Sequence, residues 1–223
     1  MKAVLRSYNW FFWRTETDRI LTLSMIFSVQ LVCTRIVYTG QFTFLFMIWN
    51  LFLAWLPYAV TSWLQQRTDI ANNGWKLAAV FLVWLPIVPN SFYILTDLFH
   101  LGKSNVPRWF DLALIVSFAW NGLVLGILSV RQMEKAVEPY LRGRHELFYV
   151  YPVMWLNALG IYIGRYYRFN SWDIVANPFD LMAGICSAVV HPLQYKDVWG
   201  MVGCFSVFMT LVYLTVKRIA RAV

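Results

Sequence analysis

Residues Trp75–Leu101 read W-K-L-A-A-V-F-L-V-W-L-P-I-V-P-N-S-F-Y-I-L-T-D-L-F-H-L. Up to Leu98 the stretch carries only Lys76 and Asp97 as charges, one near each end. At about 1.5 Å per residue it is long enough to cross a hydrocarbon layer of about 30 Å, which identifies a membrane span. Pro86 and Pro89 fall close to its middle, and each removes a backbone donor, so the span should kink or break there. Beyond the break it delivers an aspartate, Asp97, and a histidine, His100, to one end.

The rest of the chain has the same character. Of its 223 residues 60% are hydrophobic, 18% aromatic and only 13% charged, whereas soluble domains carry about 25% charged residues. Apolar runs predict further spans at Ile20–Val37, Phe42–Leu64, a stretch opening at Pro107 and ending at Val130, Leu147–Ile163 and Val198–Val216. The fold class is all-α: a polytopic membrane helical bundle of about six transmembrane helices. Residues 1–19 form an interfacial segment of aromatic and basic residues, 20–217 a single transmembrane domain, and 218–223 a tail. The long first span behind a basic leader predicts a retained anchor and no cleaved signal. Asn177, Pro178 and Asp180 read as a helix start, but the run to Pro192 reaches only ~21 Å, so a short interfacial or re-entrant helix is expected on the outer side.

A net charge of +8 points to nucleic acid in a soluble protein, but here the basic residues sit in the gaps between apolar runs, as topology signals do. Nucleic-acid binding is therefore not expected. Most Lys and Arg fall in the leader, the second-to-third and fourth-to-fifth connections and the tail, which places both termini in the cytoplasm. Arg35, near the outer end of the first span, is read as snorkelling. Gly122/Gly126 and Gly160/Gly164 have the spacing of close helix seams. Mid-span Asn50, Asn121 and Asn157 need partners in the bundle interior, so their helices are expected to face one another. Cys33, Cys186 and Cys204 stand singly and read as small packing residues.

The chemistry-bearing residues gather on the side opposite the termini. Asp97 and His100, three apart, share a face and form the candidate catalytic pair, His100 as acid or base and Asp97 as its orienting group. Tyr93 lies on roughly that face. Arg165 and Arg168, one turn apart, could clamp a phosphate or carboxylate. Arg108, Asp111 and Asp173 complete the ligand-binding set. The alternative for these charges is a set of structural ion pairs that closes the bundle. D-x-x-H alone lacks the third and fourth ligands of a metal site, so no metal is assigned. No nucleophile elbow, H-E-x-x-H or glycine-rich phosphate loop is present, and no cofactor is indicated.

P-N-S-F-Y-I-L-T-D-L-F-H-L (Pro89–Leu101) and G-R-Y-Y-R-F-N-S-W-D (Gly164–Asp173) resemble the two signature segments of a bacterial family of small integral membrane proteins, a domain of unknown function. The resemblance runs over nearly the whole chain. It implies a polytopic fold in the bacterial cytoplasmic (inner) membrane and carries no catalytic residue across. The leading functional expectation is an extracytoplasmic site that binds or modifies an anionic or lipid-linked small molecule, with the lipid bilayer as the surrounding partner. The alternatives are an accessory subunit with a membrane-protein partner, and a small-solute transporter using the broken third span.

Overall fold

Helix α1 (Glu16–Thr39) starts where the chain supplies its own cap. Thr15 accepts the Asp18 amide N–H, and the Asp18 carboxylate accepts the Thr15 amide and hydroxyl at 3.0 and 2.9 Å, a reciprocal arrangement that satisfies otherwise orphaned donors. The helix therefore begins four residues before the first apolar run. It ends on Gly40, whose φ of 67° is the left-handed conformation that a C-terminal cap requires.

The structure, a computed structural model, describes residues 15–101, 106–141, 143, 145–167 and 196–222. After α1 come α2 (Phe46–Leu64), the short α3 (Thr68–Ala71), α4 (Gly74–Trp84) and α5 (Pro89–Tyr93), the last running into a 3-10 turn, Ile94–His100. Helix α6 (Arg108–Val137) is prolonged by a 3-10 turn, Glu138–Tyr140. Then α7 (Leu147–Tyr162) passes into a π-turn, Ile163–Tyr167, and α8 (Lys196–Ala222) closes the described chain. No strand occurs among the described residues. Among the described residues six stretches are long and apolar enough to cross a membrane: Glu16–Thr39, Phe46–Leu64, Gly74–His100, Arg108–Tyr140, Leu147–Tyr166 and Lys196–Ala220. The six expected spans are thus present. The short helix expected after Asn177 lies outside the described residues.

The proline break is present in the third span. Helix α4 stops at Trp84 with Leu85 as its cap, four turn residues follow, and helix resumes at Pro89. Pro57, by contrast, is accommodated inside α2.

The chain divides into two compact units, Met1–Val60 with Asn90–Gly126, and Thr61–Pro89 with Ile127–Val223. In the first, α6 packs on the α5 segment through glycine: a Cβ at Gly122 would stand 2.5 Å from the Ser91 carbonyl oxygen, and one at Gly126 would stand 2.7 Å from the Phe92 ring. Ser91 in turn donates to the Ala54 carbonyl at 2.7 Å, and buried Asn121 donates to Ser28 at 2.9 Å. The Gly122/Gly126 seam was legible from spacing alone.

In the second unit, Trp84 donates its indole N–H to Ser129 at 2.8 Å, and Thr61 donates to Gln132 at 2.8 Å. Helices α7 and α8 pack together, with Trp155 and Trp199 stacked at 6.0 Å. Gly160 admits Pro89, whose Cγ would lie 2.6 Å from an added Cβ.

Candidate functional site

In the first unit, Asp97 is buried (1% exposed) at the 3-10 end of the third span. Its carboxylate accepts from Asn50 of α2 at 3.1 Å. A 3-10 turn has three residues per turn, so side chains at i and i+3 eclipse, and His100 stands directly over Asp97. The imidazole Nδ1 lies 3.2 Å from the Asp97 carbonyl oxygen and 3.9 Å from its carboxylate. A carbonyl only accepts, so in the neutral ring Nδ1 carries the proton and Nε2 holds the lone pair. The side chain is 36% exposed and packs against Phe46 at 5.4 Å between ring centroids. The geometry holds a half-exposed imidazole above a buried carboxylate that an amide keeps in place.

Asp111 is also buried, one turn into α6, and Arg35 Nε donates to it at 2.9 Å. The Arg35 guanidinium lies 4.4 Å from the centre of the Phe44 ring, a cation–π contact. At 2% exposure Arg35 does not snorkel. It turns inward because a buried carboxylate from another span neutralises it, which the headgroup region would do less completely. Its Nη1 is buried with no hydrogen-bond partner among the described residues.

Tyr93 is half-buried at the end of α5, and Arg108, exposed at the start of α6, makes no ion pair among the described residues. Arg165 belongs to the second unit, in the π-turn where Tyr162 and Tyr166 stack at 4.6 Å. Arg168 and Asp173 lie outside the described residues. The structure therefore brings Asp97 and His100 together and assigns Asp111 a partner in Arg35. No group of three or more His, Cys, Asp or Glu able to hold a metal occurs among the described residues.

The three asparagines do not join their helices to one another: Asn50 donates to Asp97 of the third span and Asn121 to Ser28 of the first, while among the described residues Asn157 donates to the Val153 carbonyl of its own helix and its Oδ1 is buried without a partner.

A second constellation escaped the reading of the sequence. In the second unit, buried Glu134 accepts from Arg131 at 2.6 Å, Tyr213 at 2.5 Å and Lys217 at 2.7 Å. Lys217, itself buried, also pairs with Glu146, which accepts in addition from Arg218 at 2.6 Å. The hydrogen bond from Lys217 holds the Glu146 carboxyl below the usual carboxylate range. The signal was available: Arg131/Glu134 at i,i+3 and Tyr213/Lys217 at i,i+4 are same-face helix spacings. It was missed because α6 outlasts its apolar run by two turns, so these residues read as loop charges.

A family model described as a protein of unknown function (DUF1361) matches residues 49–212. No curated protein and no solved structure matches the chain.

Proposed function

With a match over most of its length the chain belongs to the DUF1361 family of proteins of unknown function, and from that membership we propose a multi-pass protein of the bacterial cytoplasmic membrane that binds an anionic or lipid-linked small molecule beside Asp97 and His100. The excess of Lys and Arg in the alternate connections supports cytoplasmic termini, which puts this pair on the outer side.

The observation that carries the reading is the 3.2 Å contact between the His100 Nδ1 and the Asp97 carbonyl oxygen. Anchoring Nδ1 on the Asp97 carbonyl presents Nε2 as the basic nitrogen, placed to take a proton from a bound hydroxyl or to return one to a leaving group. Buried Asp97, held by Asn50, supports the imidazolium formed in that step. Arg108, exposed and without an ion-pair partner among the described residues, is the cation for the ligand's negative charge. Asp111, taken up by Arg35, holds the fold at this end. An intramembrane or membrane-edge ionisable pair of this kind marks a site more often than packing.

His100→Gln keeps a polar side chain of similar length but removes the base. Lipid and metabolite extracts of cells carrying wild type, His100→Gln or Arg108→Gln provide the comparison. His100→Gln should abolish any lipid or metabolite difference made by the wild type, and Arg108→Gln should weaken it. If both variants leave the profile, and the thermal stabilisation of the purified protein by lipid extract, identical to wild type, the reading is wrong.

A further inference from the structure

Where α6 and its 3-10 extension end and α7 begins, the second unit contains a cavity of about 340 Å³. This is near the lower end of ligand-site volumes. Its charged walls are Glu134, Glu138, Glu146, Lys217 and Arg218, with His145 at the loop. These groups differ in how far they are already satisfied. Glu134 has three donors, and Lys217, with a side chain only 4% exposed, is divided between Glu134 and Glu146. Arg218 is 60% exposed and places only Nη2 on Glu146, leaving the other edge of its guanidinium fork to the cavity. Glu138 is exposed and makes no ion pair among the described residues. The described wall thus offers one carboxylate and one guanidinium edge.

That balance selects among ligands. A purely anionic group on Arg218 would also face the open carboxylate of Glu138. A metal ion would need converging ligands that the described residues do not provide. A ligand carrying both an ammonium and a phosphate matches both open positions: the ammonium on Glu138 and the phosphate on Arg218, where a guanidinium can engage two oxygens. The helices around the cavity are long and apolar enough to cross a membrane and end here, which sets the cavity at headgroup depth, and Leu141 adds an apolar edge to its lining.

We propose that this cavity binds the zwitterionic headgroup of an aminophospholipid, read by Glu138 and Arg218, independently of the Asp97–His100 site.

The test uses the purified full chain in detergent, titrated with short-chain phosphatidylethanolamine, phosphatidylcholine and phosphatidylglycerol, and with soluble glycerophosphoethanolamine. Phosphatidylethanolamine should bind tightest, since choline cannot donate hydrogen bonds to Glu138 and glycerol carries no cation. Glu138→Gln and Arg218→Gln should each weaken it about tenfold. Both residues are exposed, and the Arg218 pair with Glu146 is worth at most about 1 kcal/mol there, so without lipid both variants should unfold within about 4 °C of the wild type. Three results would overturn the proposal: phosphatidylglycerol or phosphatidylcholine binding as tightly as phosphatidylethanolamine, both variants binding like wild type, or the soluble headgroup binding as tightly as the lipid. Because Glu138 and Arg218 play no part beside His100, these variants leave the His100-dependent lipid profile unchanged if that reading holds.

Discussion

Arg35→Met should destabilise the protein by about 3–5 kcal/mol, because it takes from a buried carboxylate the guanidinium that pairs with it. Arg35 and Asp111 are each 2% exposed and meet through a single Nε to Oδ1 hydrogen bond of 2.9 Å. In Arg35→Met the methionine fills much of the same volume, so the loss reports the charge and little of the packing. For a chain of this size that is roughly 10 °C in unfolding temperature. The double variant Arg35→Met/Asp111→Leu removes both charges, so no buried carboxylate is left behind to be compensated. It should recover most of the loss. The assay is thermal unfolding in detergent for the wild type, both singles and the double, read as a double-mutant cycle, with a coupling of at least about 2–3 kcal/mol expected. A single Arg35→Met variant within about 1 kcal/mol of wild type, as an arginine reaching the headgroups would give, refutes the inward pairing.

Three further outcomes follow from contacts described above. Gly122→Ala should destabilise by about 1–3 kcal/mol, since its Cβ would meet the Ser91 carbonyl oxygen at 2.5 Å, whereas Gly200→Ala, with nothing within 4 Å, should be neutral or slightly stabilising; equal unfolding temperatures for the two would discount the seam. Thr15→Ala removes one side of the α1 cap and should cost about 1 kcal/mol in the same assay, with no loss meaning the cap is redundant. Glu146 has its folded pKa below the ordinary 4.5, so its contribution is complete above about pH 4.5 and is lost as the pH falls through the depressed value. Between pH 6 and pH 4 the wild type should therefore lose more thermal stability than Glu146→Gln, and parallel curves would rule out the Lys217 pairing as the cause.

The spans were legible because a membrane crossing demands a long apolar run whatever it packs against, and the break was legible because proline lacks a donor in any context. Arg35 was not: one cation near the end of an apolar span looks the same in sequence whether it points at headgroups or at a carboxylate 76 residues further on. The decisive residue is the partner, and pairing at that separation leaves no periodic trace. The Asp97–His100 pair was visible from its three-residue spacing, though the 3-10 turn that eclipses the two was not. Glu134 and Lys217 were lost for a different reason. Charges that end a span serve as topology signals and can equally fold back into a network, and only the helix length, two turns beyond Val130, separates the cases.

The seven residues Ile94–His100 are wound as a 3-10 helix and not as α. Each residue then advances about 120° around the axis in place of about 100°, so over the three steps from Asp97 to His100 the two windings differ by about 60° in azimuth. They also differ by about 1.5 Å in rise. Rewinding this one turn would swing the imidazole off its row while leaving the surrounding helices where they are. The angular setting of His100 is therefore a property of backbone pitch, and a substitution that favours α winding here would change the angle between Asp97 and His100 without touching either.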